Sequence, residues 1–349
     1  SLESLEDFFL NLEESKYRAS QVFKWIHQKG ILDFELMTDL NKDLRENLRS
    51  IAEVKPPQIE EEFISNDGTK KFLIKLNSGS MVEMVVIPDG KRKTLCISSQ
   101  AGCALQCSFC ATGAQGFDQN LRSDEIIGQL WLANFYNNNE EPISNIVFMG
   151  MGEPLLNFDA VIESAKIMKD QKAYGLSRKK ITISTSGIVP NIERINDFVD
   201  VSLAVSLHAS NDKLRDEIVP INRKYPLKLL IQSCKNFLKN HQNRRHITIE
   251  YILIKGINDS LDDAKRLVKL LSNLSCKINL IPFNKFDGSN YERPSDDIIH
   301  AFKIFLINKG FITTLRTTRG DGVDAACGQL VGNLTKSIKG KKLISHKSL

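Results

Sequence analysis

The chain has 349 residues, 42% of them hydrophobic and 26% charged, with a formal net charge of +5. These values lie within globular norms, fit one large core with a small appended domain, and permit an anionic partner without demanding one; the lack of any apolar run of about 18 residues excludes a membrane-spanning helix. Seven cysteines, an odd number with three bunched together, fit a metal or redox site better than a disulfide framework. With neither a basic n-region nor an apolar h-region at the amino end, the expectation is a soluble cytoplasmic chain in a reducing compartment. The first residue is Ser1, which leaves the natural start open.

Residues 4–52 are rich in Leu, Phe, Lys and Glu, with helical spacing in SLEDFFLNL and in YRASQVFKWIHQKG, which stops at Gly30. They predict a small helical domain over 1–55. Over 56–92, EEFISNDGTKKFLIKL and SMVEMVVIP are β-rich runs broken at Asp67-Gly68 and Asn77-Ser78-Gly79, predicting a connecting hairpin or small meander. From Thr94 onward TLCISS, NIVFMG, KITIST, VSLAVSLH, ITIEYILI, KINLIPF and ITTLRT read as strands. Helices fit between most of them, among them DEIIGQLWLANFY, capped by Ser123, and DDAKRLVKLL, introduced by Ser260. That alternation predicts parallel strands with crossover helices, an α/β barrel or partial barrel over 93–335, with functional residues at the carboxyl ends of the strands. The basic stretch KSIKGKKLISHKSL, 336–349, reads as a frayed tail rather than a dedicated arm for nucleic acid.

The sharpest signal is Cys103, Cys107 and Cys110 in GCALQCSFCATG, three thiols within eight residues after a predicted strand. Thiolates hold iron-sulfur clusters, and a short loop can wrap three around one cubane, leaving one iron open to chelate a small molecule. The alternatives are a zinc knot or unrelated buried cysteines; zinc would want a fourth Cys or His, and the loop has none. In MGMGEPLLN, Gly150 and Gly152 allow close backbone approach, and Glu153 can accept hydrogen bonds from an ammonium group.

The CxxxCxxC spacing, with Phe109 before the last cysteine, resembles the radical S-adenosylmethionine (SAM) superfamily. That resemblance implies a partial (β/α)6 barrel and a [4Fe-4S] cluster on Cys103, Cys107 and Cys110 with SAM on the open iron. It also implies contacts from Gly152 and Glu153 to the SAM amine, and cleavage of SAM to methionine and a 5′-deoxyadenosyl radical. Over about residues 17–332 it narrows to the RlmN/Cfr family of RNA methyltransferases, carried by TLCISSQAGCALQCSFCATGAQGF, FMGMGEPLLN, ISTSGIVP, SLHASNDKLRDEIVPINRKYP, NLIPFN and RTTRGDGVDAACGQL.

The family resemblance implies SAM contacts at Ser184, Ser206, Leu207, His208 and Asn284; read alone, the serines and His208 could equally satisfy backbone groups at strand ends. It implies that Cys327 takes a methyl group from a first SAM, a displacement that suits a thiolate. The radical from a second SAM then takes hydrogen from the S-methyl group, the carbon radical adds to carbon 2 of an adenine, and Cys96 releases the product by closing a disulfide with Cys327. By itself Cys96 reads as a core residue, as do Cys234 and Cys276. Glu83, in MVEMVVIP, is either turned outward by strand alternation or semi-buried with a raised pKa; the resemblance makes it the proton acceptor that helps resolve the protein-RNA adduct.

The implied partners are 23S rRNA, tRNA methylated at the adenosine following the anticodon, and a reductant such as flavodoxin, with the chain acting as a monomer. An adenine edge is reached only when the base is splayed from its stack. Arg223, Lys224, Arg244, Arg245, Arg316 and Arg319 could meet phosphates or be solvated charges. GMGEPLLN, IPFN and TRGDGVDAACGQL follow the carbon-2 form of the family more closely than the carbon-8 form of Cfr. A non-catalytic iron-sulfur RNA-binding protein predicts a departure at Cys327 or Glu153, and there is none. A radical SAM enzyme acting on a peptide or metabolite leaves the DAACGQL cysteine and the leading helical domain unexplained.

Overall fold

Three helices open the chain, α1 (Leu2–Asn11), α2 (Lys16–His27) and α3 (Lys42–Ile51). Each starts at a side-chain oxygen that accepts an otherwise orphaned backbone N–H: Ser1 from Ser4, Ser15 from Tyr17, Asn41 from Leu44. Phe9, Ala19, Val22, Phe34, Met37, Leu40, Leu44 and Leu48 form their own small core. This is a computed structural model, and the residues described are 1–136, 141–239, 246–317, 319–320 and 322–332. Arg244, Arg245 and the basic tail lie outside them.

The strands β1 (Gln58–Ile64), β2 (Lys70–Lys75) and β3 (Met81–Asp89) form the expected antiparallel meander. β3 then pairs antiparallel with β4 (Arg92–Cys96), so the meander continues the barrel sheet instead of standing apart from it. A small hairpin follows, β5 (Gln100–Gly102) with β6 (Phe117–Asn120), enclosing the cysteine loop and the short α4 (Ala111–Gln115). The remaining elements alternate: α5 (Ser123–Phe135), β7 (Asn145–Phe148), α6 (Phe158–Lys169), β8 (Ile181–Thr185), α7 (Val189–Phe198), β9 (Ser202–Ser206), α8 (Asp212–Ile218), α9 (Leu227–Lys239), β10 (Ile247–Leu253), α10 (Leu261–Leu271), β11 (Cys276–Pro282), α11 (Asp296–Asn308) and β12 (Thr313–Leu315).

The order β1-β2-β3-β4-β7-β8-β9-β10-β11-β12 makes one ten-stranded sheet, parallel from β4 onward. Its two edge strands do not pair with each other, so the barrel is open, with six strand-helix units and a short β12 added at the edge. All seven strands read from the sequence are present. Parallel strands are covered on both faces and read as near-continuous apolar runs, as in the consecutive buried residues Tyr251, Ile252 and Leu253 of β10 and Leu280 and Ile281 of β11. Ser260 does cap α10, accepting from Asp263 N. Ser123 does not cap α5: it is the first helical residue, and Glu125 reaches back to accept from Arg122 N at 3.0 Å. Among the described residues no helix is long and apolar enough to cross a membrane.

Candidate active site at the barrel mouth

The cysteine loop is shaped by its ends. Gly102 has φ of 70°, and a Cβ there would collide with the carbonyl oxygen of Gly116, across the hairpin that closes the loop. Cys103 N donates to that same Gly116 oxygen at 2.8 Å, and Cys110 N to Cys107 O at 3.1 Å. All three thiols line one cleft of about 820 Å³, open to solvent, at the carboxyl ends of the barrel strands. Burial pushes the Cys103 thiol up to about 12 and raises Cys107 and Cys110 as well; for Cys107 the neighbouring thiols Cys110 and Cys103 add to the effect. Thiols so crowded become thiolates when a cation takes the place of their protons. Among the described residues no three His, Cys, Asp or Glu side chains converge on a single ion's position. A cubane does not require that, since each thiolate binds a different iron, and the donor set fits such a cluster.

The strand ends supply the rest of the wall. After β7, Gly152 has φ of 95° where a Cβ would strike Gln100, and it leads into Glu153. The buried Glu153 carboxylate accepts from Ser186 N at 2.7 Å and Leu155 N at 3.1 Å; burial raises its pKa while these bonds oppose the shift. Ser184 in β8, Ser206 at the end of β9, and His208 all line the cleft. His208 has φ of 61° and accepts from Ile252 N at 3.0 Å through Nδ1, and its ring meets Phe109 edge-on at 4.7 Å. Burial, then the charge of Arg215, lowers its pKa to about 3, so the imidazole is neutral. Leu207 differs from expectation. Its side chain is fully buried in the main core and does not line the cleft, because the chain turns between Ser206 and His208.

The segment carrying Cys327 is clasped over this mouth. Ala111 N donates to Gly328 O at 2.7 Å, Thr112 Oγ1 to Leu330 O at 2.6 Å, and Val331 N to Glu83 Oε2 at 2.9 Å. Cys327 thereby lines the same cleft as the three loop thiols. Asn284, expected at SAM, instead lines a smaller adjoining cavity and donates to Cys327 O at 3.4 Å. Glu83 is buried, not turned outward; Lys71 Nζ lies 3.1 Å from its Oε1. Strand alternation misleads here because β3 is covered on both faces, four successive residues of it being buried.

Cys96 and Cys327 are both free thiols in this structure, where a disulfide was expected of their working cycle. They are close enough to act on each other: burial, and then Cys327, push Cys96 up to about 12. Burial raises Cys327 too, and the Arg316 guanidinium opposes that rise. Sequence reading missed Glu250, a buried carboxylate on the cleft wall that accepts from Asn279 Nδ2 at 3.3 Å. A carboxylate inside the apolar run ITIEYILI was the available signal. Arg316, read as a phosphate contact or solvated charge, belongs instead to the group around Cys327 and Cys96, and lines the smaller cavity with Arg319. Arg223 and Lys224 are exposed. Cys234 and Cys276 are buried, as expected of core residues.

Comparison with known proteins agrees with this geometry. The family described as "Ribosomal RNA large subunit methyltransferase N-terminal domain" matches residues 1–54, and the "Radical SAM superfamily" matches 97–271. Relatives called dual-specificity RNA methyltransferase RlmN include one from Pseudomonas putida, 53% identical over 95% of this chain and 88% of its own length. Another, from Pseudomonas entomophila, is 52% identical over 96% of this chain and 89% of its own. A crystal structure of a radical SAM methyltransferase from Sphaerobacter thermophilus superposes with a TM-score of 0.90 at 38% identity, covering 95% of this chain and 98% of that one. With the cluster loop, the strand-end wall and the clasped Cys327 in one cleft, the chain belongs to the RlmN family of radical SAM methyltransferases.

Proposed function

We propose that the chain methylates carbon 2 of an adenine in RNA, with Cys327 as the methyl carrier. The observation that carries this reading is that Cys327 and the three loop thiols face one cleft. When bound, a [4Fe-4S] cluster and two SAM molecules per turnover supply the electron, the methyl group and the 5′-deoxyadenosyl radical. Cys103, Cys107 and Cys110 hold the cluster; Gly152, Glu153, Ser184, Ser206 and His208 form the wall against which SAM is oriented. Leu207 shapes that wall from behind, and Asn284 steadies the Cys327 backbone beside it.

Cys327 receives the methyl group and carries its carbon to the base. Cys96, beside it at the end of β4, then attacks the Cys327 sulfur as a thiolate; the sulfur–carbon bond breaks, its electron pair leaves with the carbon, which takes up a proton to become the methyl group of the adenine, and the disulfide that closes is reopened by the reductant. Glu83, whose Oε2 holds the segment after Cys327, is the proton acceptor in that resolution. The substrates are an adenosine of 23S rRNA and the adenosine following the anticodon of some tRNAs, a reading supported by the relatives' name "dual-specificity RNA methyltransferase" and by the ribosomal RNA methyltransferase match at residues 1–54. A flavodoxin-type reductant, a cytoplasmic setting and action as a monomer complete it.

The test is anaerobic cluster reconstitution, then incubation with SAM, reductant and unmodified 23S rRNA fragment or tRNA, with mass spectrometry of the nucleosides. Wild type is expected to yield 2-methyladenosine and Cys327→Ala none. 8-Methyladenosine would replace the carbon-2 assignment, and 5′-deoxyadenosine without an RNA product would reopen the substrate.

A further inference from the structure

Arg215, in α8, is a fully buried cation to which the reading above gives no task. Its Nε donates to Leu207 O at 2.9 Å, its Nη2 to Ser186 O at 2.7 Å and Ser206 O at 3.0 Å, and its Nη1 to Asn222 Oδ1 at 2.9 Å. One side chain thus binds carbonyls from the ends of two adjacent strands, β8 and β9. The planar fork of a guanidinium suits that task, and an ammonium group, a point charge on a flexible stem, does not. All four acceptors are neutral. Asp212 and Asp216 connect to it through Asn222 Nδ2, which donates to their carboxylates at 2.9 and 2.6 Å.

A buried charge is strongly destabilising unless an opposite charge offsets it. The cysteine loop is placed to do so. Ser108 N donates to Ile218 O, at the end of the same α8, at 3.2 Å. Phe109, of the same loop, meets the His208 ring edge-on, and His208 follows the Leu207 whose carbonyl Arg215 holds, so the loop packs against the strand end that the guanidinium clamps. Burial lowers the arginine only to about 10, so it stays charged at neutral pH.

We infer that Arg215 is a positioning residue of the SAM site, clamping the ends of β8 and β9 in their binding arrangement while its charge offsets the negative charge gathered on the Cys107 loop. The inference rests on the cluster-and-SAM reading. It accounts for SLHASNDKLRDEIVPINRKYP as one polar knot: Asn211 caps α8, Asp212 accepts from Leu227 N, and Asn222 orients the guanidinium. An electron added to a cluster on this loop increases its negative charge, which a nearby buried cation favours. Loss of that cation therefore makes the cluster harder to reduce.

The experiment compares the full-length wild-type chain, Arg215→Gln and Arg215→Lys, each reconstituted anaerobically. Two quantities are read: the cluster midpoint potential, by redox titration followed by electron paramagnetic resonance, and SAM affinity at equilibrium. Arg215→Gln is expected to shift the potential to more negative values. Arg215→Lys keeps the charge but not the fork, so its potential stays near wild type while SAM binds about tenfold more weakly, the loss typical of one charge-assisted hydrogen bond. An unmoved potential in Arg215→Gln at full iron content overturns the electrostatic role, and wild-type SAM affinity in Arg215→Lys overturns the clamp. Should Arg215→Gln fail to fold, Arg215→Met, of similar length and likewise uncharged, takes its place in the redox titration with the same two outcomes, while Arg215→Lys still decides the clamp. A wild-type chain that takes up no cluster would instead overturn the underlying reading of the site.

Discussion

Glu83 and Lys71 sit diagonally across β3 and β2, where Leu73 faces Glu83 and Lys71 faces Val85. Both side chains are nearly excluded from water, at 6% and 7% exposure, so removing one strands the other. Glu83→Gln is expected to lower stability by about 3 kcal/mol, the usual penalty for a half-broken buried pair. The double change Glu83→Leu with Lys71→Met should recover most of that stability in urea melts. Activity in the double variant should stay lost if Glu83 takes the proton; recovery of activity would reduce Glu83 to a structural group. His27 bears on pH dependence, since burial lowers its pKa to about 4. Below about pH 6.5 the unfolded chain takes up a proton that the folded chain refuses, so stability present at neutral pH is lost as pH falls toward 4. His27→Gln should flatten that decline by at most about 1.4 kcal/mol per pH unit; an unchanged slope in melts at several pH values would refute the assignment. At this scale the sequence showed the cysteines well, because thiol spacing is itself the chemistry. It showed Glu83, Glu250 and Arg316 poorly, because their roles depend on cross-strand partners distant in sequence.

The hairpin of β5 and β6 fixes the cysteine loop. Gly102→Ala must relieve both a positive φ and a collision with Gly116 O, a strain of about 1–3 kcal/mol. The expected outcome is a chain that melts lower and binds less iron after reconstitution; wild-type iron content would show that the loop does not depend on that turn. The long elements were legible because their periodicity is local, and all seven barrel strands follow it. Two features were not. Ser123 resembles a cap by type, yet the cap position is decided by Glu125 reaching back to Arg122 N. The meander's attachment to β4 is a pairing between runs whose separate patterns do not specify a partner.

For the molecule as a whole, the amino-terminal helices dock on the barrel through a few specific bonds. Trp131 Nε1 donates to Ile26 O at 3.0 Å, His27 Nδ1 lies 3.2 Å from the Tyr174 hydroxyl, and Gln28 Nε2 donates to Gln171 O at 2.8 Å. Trp131→Phe removes the first of these and should loosen the docking by about 1 kcal/mol. Faster amide exchange across α1–α3 with unchanged cluster spectra is the expected signature; uniform acceleration throughout the barrel would mean that the helices and barrel unfold as one unit. A helical domain was legible from its amphipathic spacing, but the face it presents to α5 and to the turn after α6 was not, since those contacts join residues about a hundred or more positions apart.

The bond from Thr112 to Leu330 spans 218 positions. A ribosome builds the chain from its amino end, so the cysteine loop is finished while the segment that covers it, with Cys327, is still untranslated. A message cut short before the codon for Cys327 would encode the cysteine loop without that fourth thiol of the cleft and without its cover.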